Sequence, residues 1–415
     1  MIKKIIAYLF LYTALFANDW QTATSLNTPR HGASAVELDG FIYVLGGATT
    51  GGAILNSVER FNPATGIWED NVVPSFEKPR LDAAAIVYEG SIYLMGGLNH
   101  EGEVTKDVEV YLPSQNTWIE SGEMRRERRG HSAFIVNDSI CVLGGIRDNG
   151  EFVSEIEWYN APEERWEEAE SNIAEPIFKP FGGAANNSVF LLGGIVNFPV
   201  NKVNIGMVNS DWQFNWNSGA PLQVARGNGA STVFGDSILM IGGITSTSAA
   251  TNLVEIYNMQ TDSIETLPPL PTARIGAVAV TISDTVYVIG GYESDPNQPG
   301  DVVEQYPLKP LVSIASPNDG ILPQEFAQIK GFPNPFNGVI QLEIQIPRRG
   351  SNELIIYDIR GKKIQTLHSG ALAAGRHFFQ WTAQNEAGLP VATGIYLAVL
   401  KSRRYLEKFK IVYVR

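Results

Sequence analysis

The 415-residue chain has a single cysteine, Cys141, so no disulfide can form within it, and the fold must close by packing and strand pairing. Cys141 lies mid-strand among apolar residues and reads as core filler. No stretch of useful length carries the periodicity of an amphipathic helix, which removes helical bundles and doubly wound folds. Histidine is scarce. The five present, His31, His100, His131, His368 and His377, form no ligand-spaced cluster, so no metal site is expected. Phosphate loops, dinucleotide fingerprints and nucleophile elbows are missing too, which leaves no cofactor and no catalytic residue to name. One apolar run stands out, residues 5–16 behind Lys3 and Lys4. It is too short to span a bilayer and reads as the core of a signal peptide over residues 1–17, with Sec export and a mature start near Asn18. No later segment is apolar enough to be transmembrane.

What the chain does have is 40 glycines and 23 prolines spaced between short apolar runs, a composition of strands and turns. The expected class is all-β. Charge is unevenly shared: residues 326–415 hold 13 Lys and Arg against 5 Asp and Glu, and the rest hold 18 against 39. The net −13 therefore divides into about −21 and +8, which supports two domains. An acidic body argues against nucleic acid as a partner.

Glycine pairs recur at Gly46-Gly47, Gly96-Gly97, Gly144-Gly145, Gly193-Gly194, Gly242-Gly243 and Gly290-Gly291, at intervals of 48 to 50 residues. Before each pair lie two apolar runs joined by a hairpin dipeptide, such as Asp39-Gly40, Glu89-Gly90 or Asn186-Asn187. Thirteen residues after the first glycine stand Glu59, Glu109, Glu157 and Glu255; at fifteen stand Phe61, Tyr111, Tyr159 and Tyr257; at twenty-two, Trp68, Trp118 and Trp166. Each unit therefore contains four strands. The sixth has Glu304 and Tyr306 one residue late and then no tryptophan. Its missing strand lies at the other end of the chain, because Trp20 precedes Arg30 by the ten residues that separate Trp118 from Arg128 and Trp216 from Arg226. Residues 20–26 are thus expected to complete the last unit and leave no open sheet edge.

The double glycine, the tyrosine and the tryptophan seven residues later resemble the kelch repeat over residues 18–307. The resemblance implies a six-bladed β-propeller closed by an N-terminal strand. It also brings two enzyme classes into view, copper-radical galactose oxidases and sialic acid mutarotases. The first needs a histidine, tyrosine and cysteine set that Cys141, within a strand, does not supply. The second stays open as a sugar-active, epimerase-like alternative, because arginines and acids near one opening could bind a sugar acid and move its proton.

The longer and more varied connections, residues 48–57, 98–107, 146–155 and 292–301, fall on one face with the links between units, so ligand binding is expected there. Sixteen residues before five of the six glycine pairs stands an arginine: Arg30, Arg80, Arg128, Arg226 and Arg274. Two readings are open for them, ion pairs with the recurring glutamates or a ring that recognises an anion. Unit four departs from the pattern, with Ile177 for arginine, no Glu or Tyr at the expected offsets, and Lys179 at a position held elsewhere by Gly32, Asp82, Gly130, Asn228 and Gly276. Asp82, Lys179 and Asn228 therefore join the five arginines as candidate binding residues.

Residues 308–330 read as a polar, proline-bearing linker. Alternating strands follow over residues 339–346, 353–359, 363–367, 377–381, 394–400 and 406–414, the pattern of an immunoglobulin-like sandwich spanning residues 331–415. The phrase Phe332-Pro333-Asn334-Pro335-Phe336-Asn337, the segment of residues 354–362 and the segment of residues 388–396 resemble the C-terminal sorting domains of type IX secretion and the related Ig-like domains of flagellar hook-capping proteins. That resemblance implies contact between residues 331–415 and secretion machinery, and delivery to the outer surface or exterior of a Gram-negative-type bacterium. The function expected is a binding module for a protein or glycan.

Overall fold

A computed structural model describes residues 19–308 apart from 70, and residues 328–414 apart from 333, 335, 347–349, 359–361, 374 and 403–405. The expected signal peptide and most of the expected linker lie outside the described residues. The chain divides into two compact units, Met1–Pro310 and Leu311–Arg415.

The first unit contains six four-stranded antiparallel sheets in which, for five of the six, chain order is sheet order. Blade one is Ser34–Leu38, Phe41–Leu45, Val58–Asn62 and Ile67–Glu69. Blade two is Ala84–Tyr88, Ser91–Met95, Asp107–Leu112 and Thr117–Glu123. Blade three is Ser132–Val136, Ser139–Leu143, Glu157–Asn160 and Arg165–Glu168. Blade four is Phe181–Ala185, Ser188–Leu192, Val203–Val208 and Phe214–Ser218. Blade five is Ala230–Phe234, Ser237–Ile241, Val254–Asn258 and Ser263–Leu267. Blade six is Val278–Ile282, Thr285–Ile289 and Val303–Pro307, with Gln21–Thr22 as its fourth strand. The first strand of each blade adjoins the first strands of both neighbours, and that of blade six adjoins that of blade one. Six first strands therefore surround an axis, and the ring is closed.

Hydrophobic burial follows the same circle. Each apolar cluster spans two blades: Val36, Leu45 and Val58 of blade one meet Ile92, Leu94 and Tyr111 of blade two, and so on around to Val280 and Ile289 of blade six against Ile42 and Val44. A blade has no core of its own. It is stable only between neighbours, which is why closure carries so much of the fold's stability.

The closing strand does what its spacing predicts. Gln21 and Thr22 pair with Gln305 and Glu304, and the Ala23 and Leu26 amides donate to the Val303 and Asp301 carbonyls. Only two of residues 20–26 form regular strand. Trp20 lies against Tyr306 with ring centroids 5.1 Å apart, and its Nε1 donates to the Pro268 carbonyl at 2.8 Å. Trp68, Trp118 and Trp216 make the same bond to Thr24, Pro74 and Asn172 at 2.8–2.9 Å, each reaching the segment before its own blade. Trp20 is the fourth member of that set.

The second glycine of each pair binds the next blade. Gly47 donates its N–H to the Arg80 carbonyl at 2.8 Å, and at the seam Gly291 donates to the Arg30 carbonyl at 2.9 Å. A Cβ on Gly46 or Gly144 would strike that same carbonyl of the following blade, and both residues have positive φ. Glycine is required here for close approach as well as for conformation.

The second unit consists of a three-stranded sheet ordered Gln328–Phe332, Ile340–Ile346, Gly375–Trp381 and a four-stranded sheet ordered Lys363–Leu372, Gly350–Asp358, Gly394–Ser402, Leu406–Tyr413. Alternate residues point inward: Leu342, Ile344, Leu354, Ile356, Trp381, Ala398, Leu400 and Ile411 form one buried cluster, the pattern of a β-sandwich. Its first strand, Gln328–Phe332, lies partly within the stretch expected as linker and was not anticipated. Glycine and lysine in that segment weaken its alternation of apolar and polar residues.

Candidate functional site

The five repeated arginines do not face the opening. Their side chains are 0–4% exposed, and each meets the glutamate of its own blade: Arg30–Glu59 at 2.5 Å, Arg80–Glu109 at 3.2 Å, Arg128–Glu157 at 2.6 Å, Arg226–Glu255 at 2.9 Å and Arg274–Glu304 at 2.6 Å. In four of them Nη1 also donates to the carbonyl of the first glycine of the pair, at Gly46, Gly144, Gly242 and Gly290. Three of the glutamates also each take two backbone amides. Glu59 accepts from the Asn27 and Thr28 amides, Glu109 from Glu77 and Lys78, and Glu157 from Arg125 and Arg126. Burial lowers the pKa of Arg30, Arg128, Arg226 and Arg274, while the partner carboxylate opposes that shift at each. Of the two readings open from sequence, the structure supplies ion pairs that tie the incoming segment, the glycine pair and the third strand together. Arg30, Arg80, Arg128, Arg226 and Arg274 are not placed on the rim.

Blade four lacks both members of this pair. Its connection between second and third strands is two residues shorter, so the third-strand position opposite Leu191, equivalent to Glu157 opposite Val142, is Asn204. The residue facing the tryptophan is Gly206 opposite Trp216, where blade three has Tyr159 opposite Trp166. The indole of Trp216 fills the space a side chain at Gly206 would take. Fixed offsets from the glycine pair miss this correspondence.

The remaining three candidates come together at the axis. Gly32, Asp82, Gly130, Lys179, Asn228 and Gly276 form a closed circle of backbone hydrogen bonds: Asp82 to Gly32, Gly130 to Asp82, Lys179 to Gly130, Asn228 to Lys179, Gly276 to Asn228 and Gly32 to Gly276, at 2.8–3.0 Å. All six have φ between 48° and 65°. Asparagine, aspartate and glycine suit that region; lysine is there at a cost. On this circle the Lys179 Nζ lies 2.7 Å from Asp82 Oδ1, and Nη1 of Arg129 lies 3.3 Å from Asp82 Oδ2. Phe178 sits between the two cations, with Lys179 Nζ 5.3 Å and the Arg129 guanidinium 5.6 Å from its ring centroid. Arg129 and Phe178 were not singled out from sequence. Each directly follows or precedes a position that was, but their meeting depends on the angle between blades.

Around this hub each blade adds a radial step on the same face. His31 bridges to Ala48, Leu81 to Leu98, Arg129 to Ile146, Phe178 to Ile195, Gly227 pairs with Ile244, and Ile275 bridges to Tyr292. Leu81, Leu98, Ile146, Phe178, Ile195 and Ile244 are half-buried, forming an apolar annulus. Outside it, Glu101, Glu103, Asp148, Glu151 and Glu293 are exposed on the longer loops. His31 packs edge-on against Tyr292 at 5.1 Å. Burial lowers its pKa, with Asp82 opposing and Lys179 reinforcing the shift, so the ring is neutral near pH 7. Among the described residues no group of three or more His, Cys, Asp and Glu is arranged to hold a metal ion. Cys141 is fully buried and its thiol pKa is pushed up by burial.

Comparison with known proteins agrees with this geometry. Residues 5–194 match the KLHDC2/KLHL20/DRC7 Kelch-repeats domain, and residues 334–404 match the FlgD Ig-like domain. Kelch-like protein 40 of Xenopus tropicalis is 32% identical over 118 residues, 28% of this chain and 19% of that protein. A kelch repeat-containing protein of Dictyostelium discoideum is 37% identical over 76 residues, 18% of this chain and 11% of that one. The chain thus spans less than a fifth of the curated relatives it matches. The solved structure of YjhT superposes with a TM-score of 0.58 at 14% identity, covering 68% of this chain and 95% of that one, which establishes likeness of fold. The chain therefore carries a kelch-repeat β-propeller and a C-terminal FlgD-type Ig-like domain. No helix among the described residues is long and apolar enough to cross a membrane.

Proposed function

We propose that the protein is a secreted or surface-displayed binding module that holds a protein or glycan on the loop face of its propeller and is exported by way of residues 331–415. The observation that carries the binding half is the axial hub of Asp82, Lys179 and Arg129 set within an apolar annulus. Such a site, polar groups at the centre of half-exposed apolar surface on a rigid ring, suits recognition and needs no cofactor. The export half rests on the sequence resemblance to sorting domains together with the Ig-like match. The test is a glycan array and a peptide-display screen on the purified protein, with fractionation and mass spectrometry of the protein in its host. Binding by a ligand that protects the loop face, on protein found outside the cell, is the expected result. Protein confined to the periplasm with residues 331–415 intact would remove the sorting role.

A sugar-active, epimerase-like enzyme remains the second reading, favoured by one observation: His31, with a depressed pKa, lies near the Asp82 and Lys179 charges at the mouth. A neutral imidazole beside an acid and an ammonium group can take and return a proton. Interconversion of anomers or epimers of a sugar acid, lost in His31→Ala, would establish it.

A further inference from the structure

We propose that the hub is a seat for a single carboxylate presented by a protein loop, and that Asp82 occupies part of that seat in the free protein. The inference rests on the reading of the loop face as a binding surface and names what that surface takes. Two cations share one carboxylate here, which leaves one positive charge uncompensated at the axis. Depth decides its sign to a ligand. The Asp82 side chain is 4% exposed, against 15% for Lys179 and 29% for Arg129, so the cations are what a ligand meets first. Fixed cations ringed by apolar surface strengthen a charge-assisted hydrogen bond, because the annulus excludes water once covered.

The surroundings restrict the occupant further. Leu81, Leu98, Ile146, Ile195 and Ile244 ask for apolar residues beside the acid, and the acidic outer loops repel a ligand that is acidic along its length. A protein segment with one aspartate or glutamate among apolar residues and basic residues farther out meets all three conditions. Phe198, 74% exposed on the shortened loop of blade four, offers further apolar surface. That loop folds back on itself, since Ile195 bridges both to Phe178 and to Pro199.

The arrangement makes a prediction of unusual sign. If Asp82 competes with the ligand, Asp82→Asn frees Lys179 and Arg129 while keeping the positive φ that asparagine tolerates. Peptides selected by display on the full-length protein would be titrated against the unaltered protein, Asp82→Asn, Lys179→Gln and Arg129→Gln, each peptide also with its acid changed to amide. Expected are selected peptides with one central acid, tighter binding to Asp82→Asn, and about tenfold or greater loss in either cation variant and in the amide peptides. Binding that weakens in Asp82→Asn, or that ignores Lys179→Gln and Arg129→Gln, overturns the seat while leaving the binding-module reading in place. Selection of a free sugar acid such as N-acetylneuraminic acid in a parallel titration, with no peptide bound, overturns the proposal of a protein ligand. Failure to bind any peptide or glycan defeats both readings.

Discussion

Blade four and the other five blades solve one packing problem in two ways. In blades one, two, three, five and six an arginine is buried against a glutamate, and in four of them the arginine also donates to the carbonyl of the first glycine, while Nε and Nη1 of Arg80 and Nε of Arg128 and Arg226 are buried with no partner. In blade four the arginine position is Ile177, 1% exposed, and the glutamate position is Asn204. The ring tolerates either solution because each balances charge, with both ions present or neither. What it could not tolerate is half of one, since an unpaired buried charge costs far more than a pair returns. Between neighbours the cost of a broken blade would be shared, so the comparison can be tested at the ring before it is tested at a residue.

The largest effect should follow from breaking the circle that makes the blades interdependent. Deleting residues 20–26 removes the fourth strand of blade six, exposes the edge at Val303–Pro307, and uncovers Tyr306. We expect a melting temperature lower by about 10 °C or more, from a loss of several kcal/mol and about 2–4 °C per kcal/mol in a domain of this size. Differential scanning calorimetry decides it. An unchanged transition would mean that closure does not support the blades.

Next comes half of a pair. Arg128→Ala leaves Glu157 buried without its cation, and we expect a loss of about 3–5 kcal/mol in urea unfolding. The double variant Arg128→Met, Glu157→Leu should lose less than that single change, because it imitates the apolar choice of blade four. A double variant worse than the single one would show that blade four is stabilised by something other than its apolar pairing.

The reverse exchange gives a smaller signal. Ile177→Arg buries a charge beside Asn204, and adding Asn204→Glu should restore part of the loss, with a coupling energy of about 0.5–3 kcal/mol. A double-mutant cycle with no coupling would show that Asn204, though equivalent by strand pairing, is too far from Ile177 to complete the pair.

The same contrast explains how far the sequence could be read. The period of the glycine pairs, the ten-residue interval ahead of Arg30, and the recurrence of Arg and Glu are local spacings, and they specified six blades and the closing strand while leaving two readings of the arginines, between which burial decided. Blade four resisted because offsets counted from Gly193 cross a loop of altered length, whereas strand pairing with Leu191 identifies Asn204 directly. The axial site was half legible. Asp82, Lys179 and Asn228 stood out as non-glycine residues at a shared repeat position, but nothing in their spacing says that Lys179 of blade four reaches across Gly130 to Asp82 of blade two, nor that six backbone groups close into a circle. Those contacts depend on the angle between blades, which is set by packing of side chains drawn from two repeats at once.

The smallest effect sharpens the comparison in a different blade. At the position held by Ala33, Ala83, Pro180, Gly229 and Ala277, blade three has His131, buried with neither ring nitrogen hydrogen-bonded. Its ring reaches the space beside Gly96, at the boundary with blade two. Burial, reinforced by Arg128, drives its pKa well below the ordinary value of 6.5, so the folded protein holds it neutral where the unfolded chain would bind a proton. The unfolded state thus carries more protons on acidification, and stability must fall as pH drops through 6.5 toward the folded pKa, by up to about 1.4 kcal/mol per pH unit. Urea unfolding at a series of pH values between 7 and 5, compared with His131→Ala, isolates that contribution. The variant should lose some packing at pH 7 yet show the shallower pH dependence. Equal slopes would mean that His131 gains a proton in the folded state, and therefore that its site opens to water more readily than the small residues in the other five blades require.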